Sequence, residues 1–299
     1  MTENQPNKNY ETSLAECRAD IDAIDNQLIS LLAQRMKIVE KVRVIKTNSG
    51  EKVFIKSARE ADMIKNLIAK ADPILPKSVL VNIWSKIITS SNLLEQPLKL
   101  AVHNPHNLPD YNYLVREYYT DFIPIITHDS VNNVVSEIEK NAAQIAIFAL
   151  PHSSDENFSN DLGENWWINL ANNNLGLKVF TRIPFTQNPG REKQREAVTD
   201  LVALAIKTPE KSQQDCSLFC IELANTVSKA QLLATLQENG FDAKLLKIAR
   251  LKRVDDIIFY LVEVKGFLDE NSAEIKQLMK HKIKPFVKAL GVYPESICN

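Results

Sequence analysis

Two apolar series with seven-residue spacing run through the first fifty residues, and they constrain the fold more than any other feature. Leu14, Ile21, Leu28 and Val42 form one series, in which position 35 is an arginine. Cys17, Ile24, Leu31, Ile38 and Ile45 form the other. Interleaved at three-four spacing, they predict one long amphipathic helix from Ser13 to Lys46 with a coiled-coil-like seam. A guanidinium on an apolar stripe must be paired or must snorkel to solvent, because an unpaired buried charge costs several kcal/mol. Arg35 is therefore the first candidate for a ligand contact. Lys46, eleven residues on, returns to within about 20° of Arg35 and lies about 16 Å further along the axis. Arg18, seventeen residues earlier, points about 100° away. It cannot easily serve the same pocket within one helix, but it can do so on a partner chain.

Two shorter helices add to this set. Ser57-Ala58-Arg59-Glu60 reads as a capping box, with Ser57 as N-cap and Glu60 three residues into the helix. Arg59 then sits in the first turn, beside the positive end of the helix dipole. A third helix, from Pro76 to Leu94, carries Ser91 and Glu95 one turn apart on one face. Four cations, a hydroxyl and a carboxyl on three helices suit a small ligand bearing two carboxylates. With these residues in view, the first 97 positions resemble the all-helical chorismate mutases, the domain that opens the bifunctional chorismate mutase–prephenate dehydratases. The resemblance rests on Arg18, Asp25, Arg35, Lys46, Arg59-Glu60, Ser91 and Glu95, in register apart from a one-residue insertion in the Thr47–Phe54 turn. It implies an intertwined homodimer with two sites, Arg18 crossing into the site of the opposite protomer. The implied substrate is chorismate.

Composition narrows the remaining classes. The chain has 299 residues, enough for two or three domains, with 44% hydrophobic and 24% charged residues. A net charge of −1 leaves no electrostatic footprint for nucleic acid or an anionic membrane. Apolar runs such as Ile145–Leu150 are far too short to span a bilayer. Met1–Tyr10 is polar, with no apolar stretch that reads as a secretory signal. Cys17, Cys216, Cys220 and Cys298 are scattered without metal-ligand spacing, and the expectation is free thiols in a reducing cytoplasm. Seven glycines offer no phosphate-cradling loop, and no cofactor or metal is expected.

The expected architecture is multidomain. Residues 1–97 form the all-α unit. Residues 98–210 alternate strands and helices, with strands at Leu98–Val102, Ile123–Ile126, Gln144–Leu150, Leu177–Arg182 and Thr199–Ile206 and helices at Tyr111–Tyr119 and Ser130–Asn141. That alternation indicates a small α/β layer with a parallel sheet. Residues 211–299 read βαββαβ, a ferredoxin-like order, with a helix at Val227–Asn239 ended by Gly240 and another at Ser272–His281. The ending Ala289-Leu290-Gly291-Val292-Tyr293-Pro294 resembles the close of the ACT regulatory domain of prephenate dehydratases.

The middle resembles a dehydratase only in part. It spans about 110 residues where that family uses well over 150 for two lobes. Val198-Thr199-Asp200-Leu201 stands at the family's Thr-Arg-Phe triplet, with an acid in place of the arginine, and Thr181-Arg182-Ile183 falls one strand too early to replace it. The loop after the opening strand reads His103-Asn104-Pro105-His106, without the glycines that bring backbone N–H groups to an anion. Dehydratase activity is therefore expected to be absent, and His103 and His106 are expected in an exposed polar loop. Trp166-Trp167 is expected to pack over the shortened sheet. In the ACT-like part, Asn225-Thr226-Val227-Ser228-Lys229 and Ala249-Arg250-Leu251-Lys252-Arg253 replace the family's phenylalanine-binding turns, which favours a structural or dimerising role.

The resemblance implies an unimolecular rearrangement of chorismate to prephenate, which needs no nucleophile, metal or general base. Arg35, and Arg18 of the partner, would hold the two carboxylates with bidentate geometry. Lys46 would donate to the negative charge developing on the ether oxygen, and Glu60 and Ser91 would hold the ring hydroxyl and its edge. Arg59 would anchor a carboxylate or order Glu60. Glu95 stands where many relatives have a glutamine that donates to the same oxygen, and a glutamate donates only when protonated. The alternative is a solvated Glu95 with Gln96 turned in. Lys56 replaces an aspartate that contacts the ring hydroxyl in many relatives. Two competing functions are a bifunctional mutase–dehydratase and a non-catalytic regulatory or scaffold dimer.

Overall fold

The computed structural model describes residues 6–48, 53–106, 112–151, 165–173, 175–187, 200–251 and 256–298. The chain opens with α1 (Pro6–Thr47), 42 residues long, followed by α2 (Ser57–Lys70) and α3 (Lys77–Glu95). The apolar series of α1 divides by face. Val39 is buried and Arg35, Met36, Val42 and Lys46 are half-buried, so a stripe at helical spacing in the C-terminal part of α1 lies on α3. The second series is left outside: Ile24, Leu31, Ile38 and Ile45 are all more than half exposed. The predicted seam therefore is not consumed within one chain, because α3 covers only one stripe of one end of α1.

The rest of the chain builds β1 (Leu100–His103), α4 (Asn112–Tyr119), β2 (Ile125–His128), α5 (Val131–Glu139), β3 (Ile145–Ala149), α6 (Trp166–Ala171), β4 (Leu177–Ile183), β5 (Thr186–Gln187) and β6 (Leu201–Ile206). It continues with β7 (Asp215–Ala224), α7 (Lys229–Glu238), β8 (Ala243–Ala249), β9 (Ile257–Lys265), α8 (Ala273–Met279), β10 (Phe286–Pro294) and β11 (Ile297–Cys298). Nine of these strands form one mixed sheet in the order β2-β1-β3-β6-β4-β10-β7-β9-β8. Its first three strands run parallel, as the strand–helix alternation predicts, but β6 lies antiparallel to both β3 and β4, so the sheet built by residues 98–210 is mixed rather than parallel. Its last four are antiparallel in the order fourth, first, third, second of the βαββαβ unit. The two portions meet where β10 lies parallel to β4 at a single register pair, Gly291 with Val179.

Gly291 makes that junction possible. It has φ of +151°, and a Cβ there would stand 2.2 Å from the Val179 carbonyl oxygen. A residue with a side chain would hold the two strands apart. Period-two burial then sorts the sheet's faces. Ala101, Ala146 and Phe148 pack beneath α5 and α6, whereas Leu100, Val102, Ile145 and Ile147 pack against α4 together with Val53 and Ile55 from the helical part. Trp166 stacks on Phe148 with centroids 5.2 Å apart and donates its indole N–H to the Ala149 carbonyl at 2.8 Å, the packing role expected for the tryptophan pair.

Several expectations are corrected here. Ser57 is not an N-cap: it is the first residue of α2 and buried, Lys56 occupies the cap position, and no side chain caps that end. The capping box forms instead at Ser228 and Gln231, which open α7. His103 is not in an exposed loop. As the last residue of β1 it alternates inward with Ala101, is 2% exposed, and lies 5.5 Å from the Phe148 ring, so burial pushes its pKa below the usual 6.5. His106 is exposed as expected. Thr199, Lys252 and Arg253 lie outside the described residues. Asp200 pairs with Arg182 inside the sheet, and Arg182 also reaches Glu263 at 3.3 Å, where the Tyr293 hydroxyl donates to the same carboxylate. Among the described residues, no helix is long and apolar enough to cross a membrane.

Candidate active site

The facing stripes of α1 and α3 bring the candidate residues together. The Arg35 guanidinium donates to the Ser91 hydroxyl, which itself donates to the Ile87 carbonyl at 2.8 Å. One turn further along α3 and about three turns further along α1, Lys46 donates to Glu95 Oε2 at 2.5 Å and to the Phe54 carbonyl at 2.8 Å. The i, i+4 spacing of Ser91 and Glu95 thus meets the i, i+11 spacing of Arg35 and Lys46 across one helix–helix contact. Partial burial lowers the Arg35 pKa, opposed by Glu95 and reinforced by Arg59. Two like charges near one partly desolvated point favour an anion between them.

Glu60 approaches from the first turn of α2. Its carboxylate accepts from the Asn92 amide at 3.1 Å and from the backbone N–H of Lys56 at the cap position, so it ties α3 to the N-terminus of α2. Burial raises the Glu60 pKa, against the lowering effects of the Asn92 hydrogen bond, Lys207, the Lys56 backbone hydrogen bond and Lys46. Arg59, beside it, is exposed. Gln96 is not turned in: its side-chain carbonyl accepts from the Phe54 backbone N–H at 3.1 Å, so Glu95 is the residue facing Lys46. Lys56 forms an ion pair with Glu210 at 2.9 Å.

Arg18 and Asp25 are exposed on α1, and the single chain brings neither to Arg35. Seventeen residues of helix place Arg18 about 26 Å away along the axis. Residues that the spacing argument missed are Asn92 and Lys207. Asn92 lies three residues before Glu95 on the same face of α3, a signal that was readable. Lys207 lies far along the chain, and nothing local marks it.

The helical unit is an all-α domain in which Arg35, Lys46, Ser91 and Glu95 meet across α1 and α3. Residues 17–96 match the family model described as chorismate mutase type II, so the N-terminal part of the chain carries a chorismate mutase type II domain. A bifunctional chorismate mutase/prephenate dehydratase of Stutzerimonas stutzeri is 29% identical over 96 residues, 31% of this chain and 26% of that protein. Its counterpart in Pseudomonas aeruginosa is 30% identical over 99 residues, 32% of this chain and 27% of that protein. The chain thus aligns with about a quarter of the length of these relatives. A crystal structure of prephenate dehydratase from Streptococcus mutans is similar over 67% of this chain and 99% of that one, at 17% identity and a TM-score of 0.45.

Proposed function

We propose that the chain is a chorismate mutase, converting chorismate to prephenate within aromatic amino-acid biosynthesis. One observation carries this reading: Arg35–Ser91 and Lys46–Glu95 converge across α1 and α3 within the segment that matches the mutase family. The rearrangement is pericyclic, so the site acts by holding the chair-like conformer and stabilising charge as the ether C–O bond breaks. Arg35 binds one carboxylate. Arg18 of a second copy binds the other, and Arg59 supports that end. Lys46 and protonated Glu95 donate to the ether oxygen, while Glu60 and Ser91 take the ring hydroxyl and its edge. Substrate must displace the Lys46–Glu95 pairing, because the ether oxygen needs both groups as donors.

The working unit is a homodimer formed through α1. The exposed row of Ile21, Ile24, Leu28 and Leu31 supports this, since apolar rows of that length are ordinarily covered. The βαββαβ portion is read as ACT-like and structural, because its strand order fits and its binding turns do not. The α/β region is read as a shortened dehydratase without activity. Asp200, where the family has arginine, is committed to a buried pair with Arg182, which supports that reading. Unpaired thiols at Cys17, Cys216 and Cys220 suit a cytoplasmic location.

Assay of the purified chain with chorismate, following chorismate loss, prephenate and phenylpyruvate together, separates the possibilities. Prephenate alone is expected. Phenylpyruvate at neutral pH above the acid-catalysed background would establish a bifunctional enzyme. No turnover at any pH would leave the helical unit as a dimerising scaffold.

A further inference from the structure

Lys207 is a cation that the reaction does not call for, with a side chain only 7% exposed. A buried ammonium is costly unless its donors are engaged. Here it donates to the Ile55 carbonyl at 2.5 Å, lies 3.8 Å from Glu210, and stands 5.2 Å over the Phe180 ring. Glu210 in turn holds Lys56 at 2.9 Å. Lys207 and Glu210 belong to the link between β6 and β7, whereas Ile55 and Lys56 belong to the strap, residues 53–56, that leads from α1 into α2.

The strap is gripped from both sides. The helical unit holds Phe54, its carbonyl bound by Lys46 and its N–H by Gln96. The β6–β7 link holds the next two residues. Val53 and Ile55 sink into the core beside β1 and β3, which sets how deep the strap lies. On the Lys56 side a cavity of about 320 Å³, bounded by Val53, Lys56, Lys207 and Glu210, takes the place of packing, and polar contacts span it. Immediately after the strap come Arg59 and Glu60, and Lys207 is also close enough to Glu60 to favour its ionised form.

We propose that Lys207 and Glu210 are positioning residues for the mutase site, clamping the 53–56 strap so that the first turn of α2 presents Arg59 and Glu60 to the substrate. This rests on the mutase reading above. It makes the sheet region a working support of the helical site. Arg35, Ser91 and Glu95 are held by α1 and α3, and Lys46, although it also binds the strap at Phe54, keeps its Glu95 partner on α3, so loss of the clamp should weaken binding more than chemistry.

The test uses the full-length chain. Lys207→Met should raise KM for chorismate about ten-fold, the equivalent of one charge-assisted hydrogen bond, with kcat changed less than about threefold. Lys207→Arg should restore KM to within about threefold of the unaltered chain, and Glu210→Gln should reproduce a milder rise. Lys211→Met, a neighbouring exposed lysine on the same link, serves as the control without effect. Amide hydrogen exchange over residues 53–60 should quicken in Lys207→Met while α3 is unchanged. Unaltered KM and unaltered exchange in Lys207→Met would overturn the proposal. So would a loss that Lys207→Arg fails to rescue and that follows a general fall in thermal stability. An unaltered chain without turnover would instead sink the mutase reading itself, and with exchange unchanged by Lys207→Met it would sink the clamp as well.

Discussion

Arg18→Ala and Arg35→Ala give the sharpest test of a site shared between two copies. Arg35 is half-buried and already holds Ser91, so its removal deletes a charge-assisted contact in a partly desolvated place. Such contacts contribute about 2–4 kcal/mol, which corresponds to a loss of about 30- to 1000-fold in kcat/KM. Arg18→Ala should cost as much, although Arg18 is exposed and about 26 Å of helix from Arg35 in its own chain. Only a second copy can bring it to the pocket. Mixing the two inactive variants and letting subunits exchange should then yield heterodimers with one site containing both arginines and one containing neither. Random reassociation makes half the dimers mixed, so about a quarter of all sites recover. The assay follows chorismate loss after re-equilibration, with exchange verified by native mass spectrometry of differently tagged chains. Recovery near a quarter of the original rate is expected. Demonstrated exchange without recovery would refute the crossed assignment, as would an Arg18→Ala variant that turns over normally by itself.

Glu95→Gln places a permanent amide donor of similar shape at that position, so its turnover at about pH 8 should equal or exceed that of the unaltered chain. A variant inactive throughout would transfer the ether-oxygen contact to Lys46 alone. Gly291→Ala should lower stability by about 3 kcal/mol, read as a fall in the urea midpoint, because the added carbon would meet the Val179 backbone at 2.2 to 2.8 Å. An unchanged midpoint would mean that β4 and β10 are not in close contact. Burial raises the Glu60 pKa above its ordinary 4.5, so the folded chain binds that proton more tightly than the unfolded one. Its contribution is complete below that ordinary value and is lost as pH rises through the raised one. Glu60→Gln should therefore flatten the decline in urea midpoint between acid and neutral pH; an equal decline in both chains would assign it elsewhere.

Local pattern carried the site's core. Eleven-residue spacing, close to three whole turns, placed Arg35 and Lys46 on one stripe, and one-turn spacing placed Ser91 and Glu95 on another, because both follow from helix geometry alone. The strand–helix alternation and the βαββαβ order were also legible, being properties of short contiguous runs. What each run would meet was not. Ser57 has the sequence of a cap, yet it is the first residue of the helix proper, and Glu60 takes the Lys56 backbone N–H together with the Asn92 amide, so the expected box does not form. His103 reads as a loop residue beside Asn104 and Pro105, yet strand alternation turns it onto Phe148. Arg182 and Asp200 become a pair only because β4 and β6 lie side by side. The spacing of residues along one helix is determined by the chain's covalent geometry, so the sequence by itself determined which side chains share a face. Burial and pairing depend on segments far apart in sequence being packed at native density, and for that reason only the tertiary structure decided that Lys207 lies against Ile55 and Glu210.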